Sequence, residues 1–245
     1  IKHDLNGSIS LKNVSFSYTK DSKRVLSNIN IEIHKGEKIA IVGTSGSGKS
    51  TLSKLLIGLF PATTGKIFFD NFEYYSLDKQ YLRQQIGIVP QDMTLFNKTI
   101  FENIAGSSSV SQEKMEEVCK LVNIHDDIME MPMGYNTLVS EMGMNLSGGQ
   151  RQRIILARAL IKKPKIILLD EATSYLDNVN EKEIMQKFKE QNITIVVIAH
   201  RLSTIIDSDK IFVMEKGKII EQGNHQELLQ GERGLYRKLY QIDNL

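Results

Sequence analysis

Three short, nearly unbroken apolar runs, two alternating stretches ahead of them and a polar helical stretch between them predict an α/β fold. The expected architecture is a mainly parallel sheet covered by helices, with an antiparallel β subdomain at the amino-terminal end and an α-helical subdomain inserted into the core. The alternating stretches come first: Ile9 to Tyr18, and Val25 to Ile33 with Ile29, Ile31 and Ile33 on one side, which is the period of half-buried antiparallel strands. Ile39 to Val42, Ile166 to Leu169 and Ile193 to Ala199 are apolar at nearly every position, as strands buried on both faces of a parallel sheet must be. Between the first and second of these runs, Ser111 to Met131 places Met115, Val118, Leu121 and Val122 at helical spacing, beyond a Gly-Ser break at Gly106 to Ser109. Residues 1–91 and 163–245 are therefore expected to form the core with its antiparallel subdomain, and 92–162 the helical subdomain. Farther on, Ile211 to Met214 and Lys218 to Glu221 flank a turn at Glu215-Lys216-Gly217, a hairpin pattern, and a short helical tail runs through Leu228 and Tyr236. There are no internal repeats or heptads, so a single unit is expected over 1–245.

Composition narrows the class. With 41% hydrophobic residues in 245, the chain can bury a substantial core. A net charge of +2 lacks the excess of positive charge expected of a nucleic-acid binder, so no nucleic-acid partner is expected. The single cysteine, Cys119, cannot form an internal disulfide, which fits a reducing, cytosolic compartment. No apolar run approaches the roughly 20 residues that span a bilayer as a helix. The chain opens on Ile1 rather than Met, as a piece cut from a longer protein would, and any membrane part could lie upstream.

The chemistry begins at Gly43-Thr44-Ser45-Gly46-Ser47-Gly48-Lys49-Ser50, a G-x-x-x-x-G-K-S string placed between an apolar strand and a run with Leu52, Leu55, Leu56 and Leu59 at helical spacing. A chance Gly-Ser loop would lack that strand, loop and helix context. Glycines let the backbone N–H groups turn toward phosphate oxygens, and the helix amino terminus adds partial positive charge. Lys49 is expected to bridge the β- and γ-phosphates, Ser50 to offer a hydroxyl to Mg²⁺, and Thr51 to complete the stretch. The fold is thus a phosphate-loop (P-loop, RecA-like) nucleoside triphosphatase core. Asp170 and Glu171 end the apolar strand from Lys165, at the strand's carboxyl end, where ligands bind in open α/β sheets. Asp170 is expected to hold Mg²⁺ and Glu171 to orient or deprotonate the attacking water. His200 ends the next run and is expected beside Glu171, near the γ-phosphate. Gln91, after Ile86 to Pro90, could reach Mg²⁺ or the water through its amide.

Leu146-Ser147-Gly148-Gly149-Gln150 opens a helical run that stops before Pro164, with Ser147 suited to the N-cap. This string resembles the signature motif of the ATP-binding cassette family, and it lies between the phosphate loop and the Asp170-Glu171 strand as in that family. The resemblance covers nearly the whole chain. It implies that ATP is the nucleotide, that Tyr18 stacks on adenine, that Gln91 is the Q-loop glutamine, that Ser174 to Asp177 is the D-loop and that His200 is the switch histidine. It also implies two copies packed head to tail, each ATP held between the phosphate loop of one copy and Ser147, Gly148, Gly149 and Gln150 of the other. Tyr175 departs from the family, whose D-loop usually has a small residue there. With Lys49, Ser147, Glu171 and His200 all present, a homodimer would have two complete sites.

Tyr81-Leu82-Arg83, Gln91-Asp92, Glu102-Asn103-Ile104 and His200-Arg201-Leu202-Ser203 resemble exporters of this family. In exporters an acidic loop before the signature, here Ser140 to Gly143, touches the membrane domain, which makes Glu141 the candidate transmission residue. The wording from Ser140 to Asn145 resembles bacterial peptide and bacteriocin exporters, some of which carry a peptidase domain. The implied partner is an exporter's transmembrane domain in the same polypeptide, at the cytosolic face of the membrane. The competing class is a soluble cassette ATPase not coupled to a membrane domain. Chromosome-type members need a long coiled coil between Lys49 and Ser147, and none is present. Translation-type members usually hold two cassettes, and one is seen. A nucleotide-binding regulatory module without hydrolysis is the third reading, against which Glu171 and His200 stand.

Overall fold

A computed structural model describes residues 1–20, 22–92, 94–198, 202–231 and 234–243. The chain begins with β1 (Ile9–Phe16), β2 (Leu26–Ile33) and β3 (Lys38–Gly43), then α1 (Lys49–Leu56), β4 (Thr64–Phe69), β5 (Phe72–Glu73), α2 (Lys79–Gln84) and β6 (Ile86–Val89). Four helices follow: α3 (Ile100–Ala105), α4 (Gln112–Leu121), α5 (His125–Glu130) and α6 (Gly148–Leu160). The core then resumes with β7 (Ile166–Asp170), α7 (Asn178–Glu190), β8 (Thr194–Ile198), α8 (Leu202–Ile205), β9 (Lys210–Glu215), β10 (Lys218–Gly223), α9 (His225–Gln230) and α10 (Leu235–Asp243). None of the described helices is long and apolar enough to cross a membrane.

The strands form two sheets. The antiparallel one has the order β2-β1-β4-β5, and the larger one β10-β9-β3-β8-β7-β6. In the larger sheet β3, β6, β7, β8 and β9 are parallel, and only β10 returns antiparallel through the hairpin at Lys216 and Gly217. Both hairpin residues take positive φ, 49° and 76°, the conformation that a tight two-residue turn demands.

The parallel strands are apolar throughout because successive side chains enter two different cores. On one face Ala40, Val42, Ile167, Leu169, Ile195 and Val197 pack with the helices around α6 and α7. On the other face Ile39, Ile41, Leu168, Val196 and Ile198 pack with Leu52 and Leu55 of α1 and with the antiparallel sheet. A fully buried side chain of this kind stabilises the fold by about 1.5–3 kcal/mol, so neither face can turn polar cheaply.

The helical stretch expected over Ser111 to Met131 comprises two helices, α4 and α5. Ser111 caps α4 by accepting the Lys114 N–H, and the chain breaks at Asn123, whose φ of 57° is one that asparagine tolerates better than most residues. Tertiary partners hold the break: the Asn123 amide donates to Glu183 at 2.7 Å, and its carbonyl accepts from Arg153.

Candidate functional site

Strand order brings the site together. With β3, β8, β7 and β6 parallel and adjacent, the segments leaving their carboxyl ends lie along one edge, and Asp170 pairs with Ile198 in register. The phosphate loop leaves β3, Gln91 follows β6, Asp170 ends β7 and Glu171 opens the turn after it. His200, after β8, lies outside the described residues.

In the loop, Gly43 has φ 154°, and an added Cβ would lie 2.3 Å from the Met214 carbonyl oxygen, so only glycine fits. Gly48 is left-handed at φ 103° and caps α1 without any side-chain hydrogen bond, leaving the first N–H groups of the helix for an anion. The Ser47 hydroxyl is buried and has no protein partner among the described residues. Lys49 is buried in the loop, its Nζ donating to the carbonyls of Gly43 at 2.7 Å and Thr44 at 3.0 Å. Burial pushes its ammonium below the ordinary lysine range, and the carboxylates of Glu171 and Asp170 pull it partway back. A cradle of orphaned donors facing a desolvated cation suits a polyphosphate. The hydroxyl, amide and carboxylate oxygens of Ser50, Gln91 and Asp170 suit a hard divalent cation.

Glu171 takes φ 52°, a strained value for a glutamate, and its N–H donates to the Ile198 carbonyl at 2.9 Å. Its Oε2 accepts from Gln91 Nε2 at 2.9 Å, which joins two residues far apart in sequence. Tyr18 is half exposed, with its ring edge-on to Phe16 and Phe60, its hydroxyl 2.9 Å from Thr51 Oγ1 and Lys54 Nζ 5.8 Å from the ring centre. Phe60 and Lys54 escaped the sequence reading because nothing marks either as facing Tyr18.

At the signature, Ser147 is the N-cap of α6 in a reciprocal capping box: its hydroxyl accepts from the Gln150 N–H and its own N–H donates to Gln150 Oε1. Gln150 also donates to Asp127, which Arg153 pairs at 2.8 Å, so its amide is engaged within its own chain. The Tyr175 ring lies on Gly148, with Cδ1 2.9 Å from where a Cβ would stand, and the Tyr175 N–H donates to Gln152 Oε1. The Asp177 carboxylate caps α7, accepting from Val179 and Asn180, and the Asn180 N–H foremost holds its pKa below the ordinary aspartate range. A cleft of about 340 Å³ between Gln91, Leu95, Met142, Gly148 and Tyr175 opens beside these turns.

A glycine-rich loop after a central parallel strand, its lysine held beside paired carboxylates from a strand two places away, defines the phosphate-loop nucleoside triphosphatase fold. Residues 26–174 match the profile of the ABC transporter family, and the chain belongs to that family. It is 50% identical over 242 residues to the leukotoxin translocation ATP-binding protein LktB of Mannheimia glucosida, a match covering 98% of this chain and 34% of that protein. LktB of Bibersteinia trehalosi matches to the same extent. The structure of a bacterial Atm1-family ABC exporter with ATP bound superposes with a TM-score of 0.89 at 40% identity, covering 98% of this chain and 42% of that one. The chain thus spans about a third of the length of the curated relatives it matches. It is an ATP-binding cassette of the ATPase kind.

Proposed function

We propose that this chain is the ATP-hydrolysing motor of a membrane exporter for a peptide or protein cargo, working as a head-to-tail pair of copies at the cytosolic face. The observation that carries the reading is the meeting of Glu171 with Gln91 on the sheet edge that also holds Lys49. In this reading the loop N–H groups and Lys49 hold the β- and γ-phosphates, and Glu171, steadied by the Gln91 amide, orients the attacking water and takes up its proton. A magnesium ion held by Ser50, Asp170 and Gln91 would neutralise charge on the phosphates. Tyr18 faces adenine, while Ser147, Gly148 and Gly149 offer a second helix terminus to the γ-phosphate of the partner copy, beside the D-loop that ends at Asp177. Export is supported by the names of the relatives, and a peptide or protein cargo by leukotoxin translocation in particular. Glu141, exposed just ahead of the exposed Met142 and Met144, is the contact toward the membrane domain.

Two variants of the full-length protein test the chemistry. Glu171→Gln is expected to lower steady-state phosphate release by about a hundredfold or more while ATP remains bound, whereas Lys49→Ala should weaken ATP binding itself. Near-normal turnover in the Glu171→Gln protein removes it from the catalytic role.

A further inference from the structure

Glu181 lies on the first turns of α7, where a glutamate on most helices would face water. Here it is 4% exposed. Its Oε1 accepts two hydroxyl hydrogen bonds, from Thr173 Oγ1 at 3.0 Å and from Thr204 Oγ1 at 2.5 Å, and both threonines are themselves buried. Its Oε2 is buried with no hydrogen-bond partner among the described residues. Packing does not call for such a group: a buried acid with half of its acceptor capacity unused is costly, and an apolar side chain of similar volume would fill the space more cheaply.

The two threonines show what the carboxylate joins. Thr173 is two residues past Glu171, on the turn that leaves β7. Thr204 is in α8, six residues past Ile198, on the segment that leaves β8. The two strands are neighbours, and the turn at Glu171 is already bound across them by the Glu171 N–H to Ile198 carbonyl hydrogen bond. Glu171 itself is at φ 52°, and a glutamate persists in that conformation only where its surroundings hold it from several sides. One of those sides is the Thr173–Glu181 bond. A single carboxylate oxygen therefore anchors the exits of both strands.

We propose that Glu181 is a positioning residue for ATP hydrolysis: through Thr173 it holds the turn that aims Glu171, and through Thr204 it ties that turn to the segment following β8. The inference rests on the catalytic reading of Glu171 above. Because both bonds end on one oxygen, the three residues act as a unit, and movement of either segment is passed to the other.

The test measures phosphate release against ATP concentration in the full-length protein carrying Thr173→Val, Thr204→Val, Glu181→Met and the Thr204→Val/Glu181→Met pair, alongside Glu171→Gln. Methionine keeps the length of the glutamate without an oxygen acceptor, and valine keeps the threonine shape without the hydroxyl, so the fold is retained in the valine variants even if Glu181→Met itself folds poorly. Each single change is expected to lower kcat about tenfold with ATP affinity kept within about twofold, and the pair to be no slower than Glu181→Met alone, since members of one unit do not multiply their losses. Unchanged kcat in both valine variants, or losses that multiply in the pair, overturns the proposal while Glu171→Gln stays silent. Turnover in the Glu171→Gln protein would instead remove the catalytic reading, and this inference with it.

Discussion

Asp70 shows how much one side chain can organise. It sits at φ 53° just past β4, and its carboxylate accepts from the N–H groups of Asn6, Gly7 and Ser8, from the Ser8 hydroxyl and from the His3 ring. Burial alone pushes the Asp70 carboxyl up, yet the N–H groups of Asn6, Ser8 and Gly7 with the His3 ring together hold it below the ordinary 3.8. Asp70→Asn leaves fewer acceptors for the same donors and is expected to cost about 1–3 kcal/mol, read as a lower urea midpoint. The sign with pH follows from the lowered folded-state value. Below 3.8 the unfolded chain takes up the proton first, so the contribution is complete above that pH and disappears as pH falls through the folded-state value. The gap between wild type and variant should therefore close in acid and stay constant from neutral to alkaline pH. At this scale the sequence was legible where chemistry demands neighbours in the chain, as in Gly43 to Ser50. Asp70 was not, because its donors lie more than 60 positions away.

Among the elements, α6 is the most dependent on a distant contact. Its N-cap was readable from Ser147, but the reciprocal bond of Gln150 and the Tyr175 ring on Gly148 were not. Gly148 has no positive φ, so alanine suits its backbone, and the obstacle is steric: the new Cβ would stand 2.9 Å from Tyr175 Cδ1 and 3.3 Å from Cγ. Because Cγ lies near the stem of that side chain, relief requires a new χ1 rotamer. Gly148→Ala is expected to destabilise by about 1 kcal/mol, a fall in Tm of about 2–4 °C, and adding Tyr175→Ala should restore it. A scan showing equal Tm for both single variants and the pair would mean that the ring moves aside freely. The break at Asn123 has the same origin. Helical spacing carries no mark of the break, while Glu183 of α7 and Arg153 of α6 supply the contacts that hold it.

For the whole molecule, the signature turn and the phosphate loop pose a question of stoichiometry. If the γ-phosphate is closed over by Ser147 to Gly149 of a second copy, specific activity should rise with protein concentration, and Glu171→Gln with Mg-ATP should migrate as a dimer. Mixing is the sharper measurement. Lys49→Ala and Ser147→Arg proteins, each inactive alone, should regain activity together, since one composite site of the mixed pair holds only unmutated motifs. Specific activity flat across concentrations, together with a monomeric Glu171→Gln protein in saturating ATP, would refute the shared site.

The sequence by itself determined the fold class, through strand and helix periodicity, and it located the phosphate loop, the Asp170-Glu171 strand end and the signature helix, because each is a local string whose parts must be adjacent to work. It also separated the doubly buried strands from the alternating ones, since a strand between two cores has no polar side. Tertiary structure alone decided which of these strings meet. Gln91 reaches Glu171, and Glu181 joins Thr173 to Thr204, because the larger sheet runs β3-β8-β7-β6 rather than in chain order. That order is set by how two apolar faces are buried at once, a property of the assembled layers that no single stretch of sequence carries.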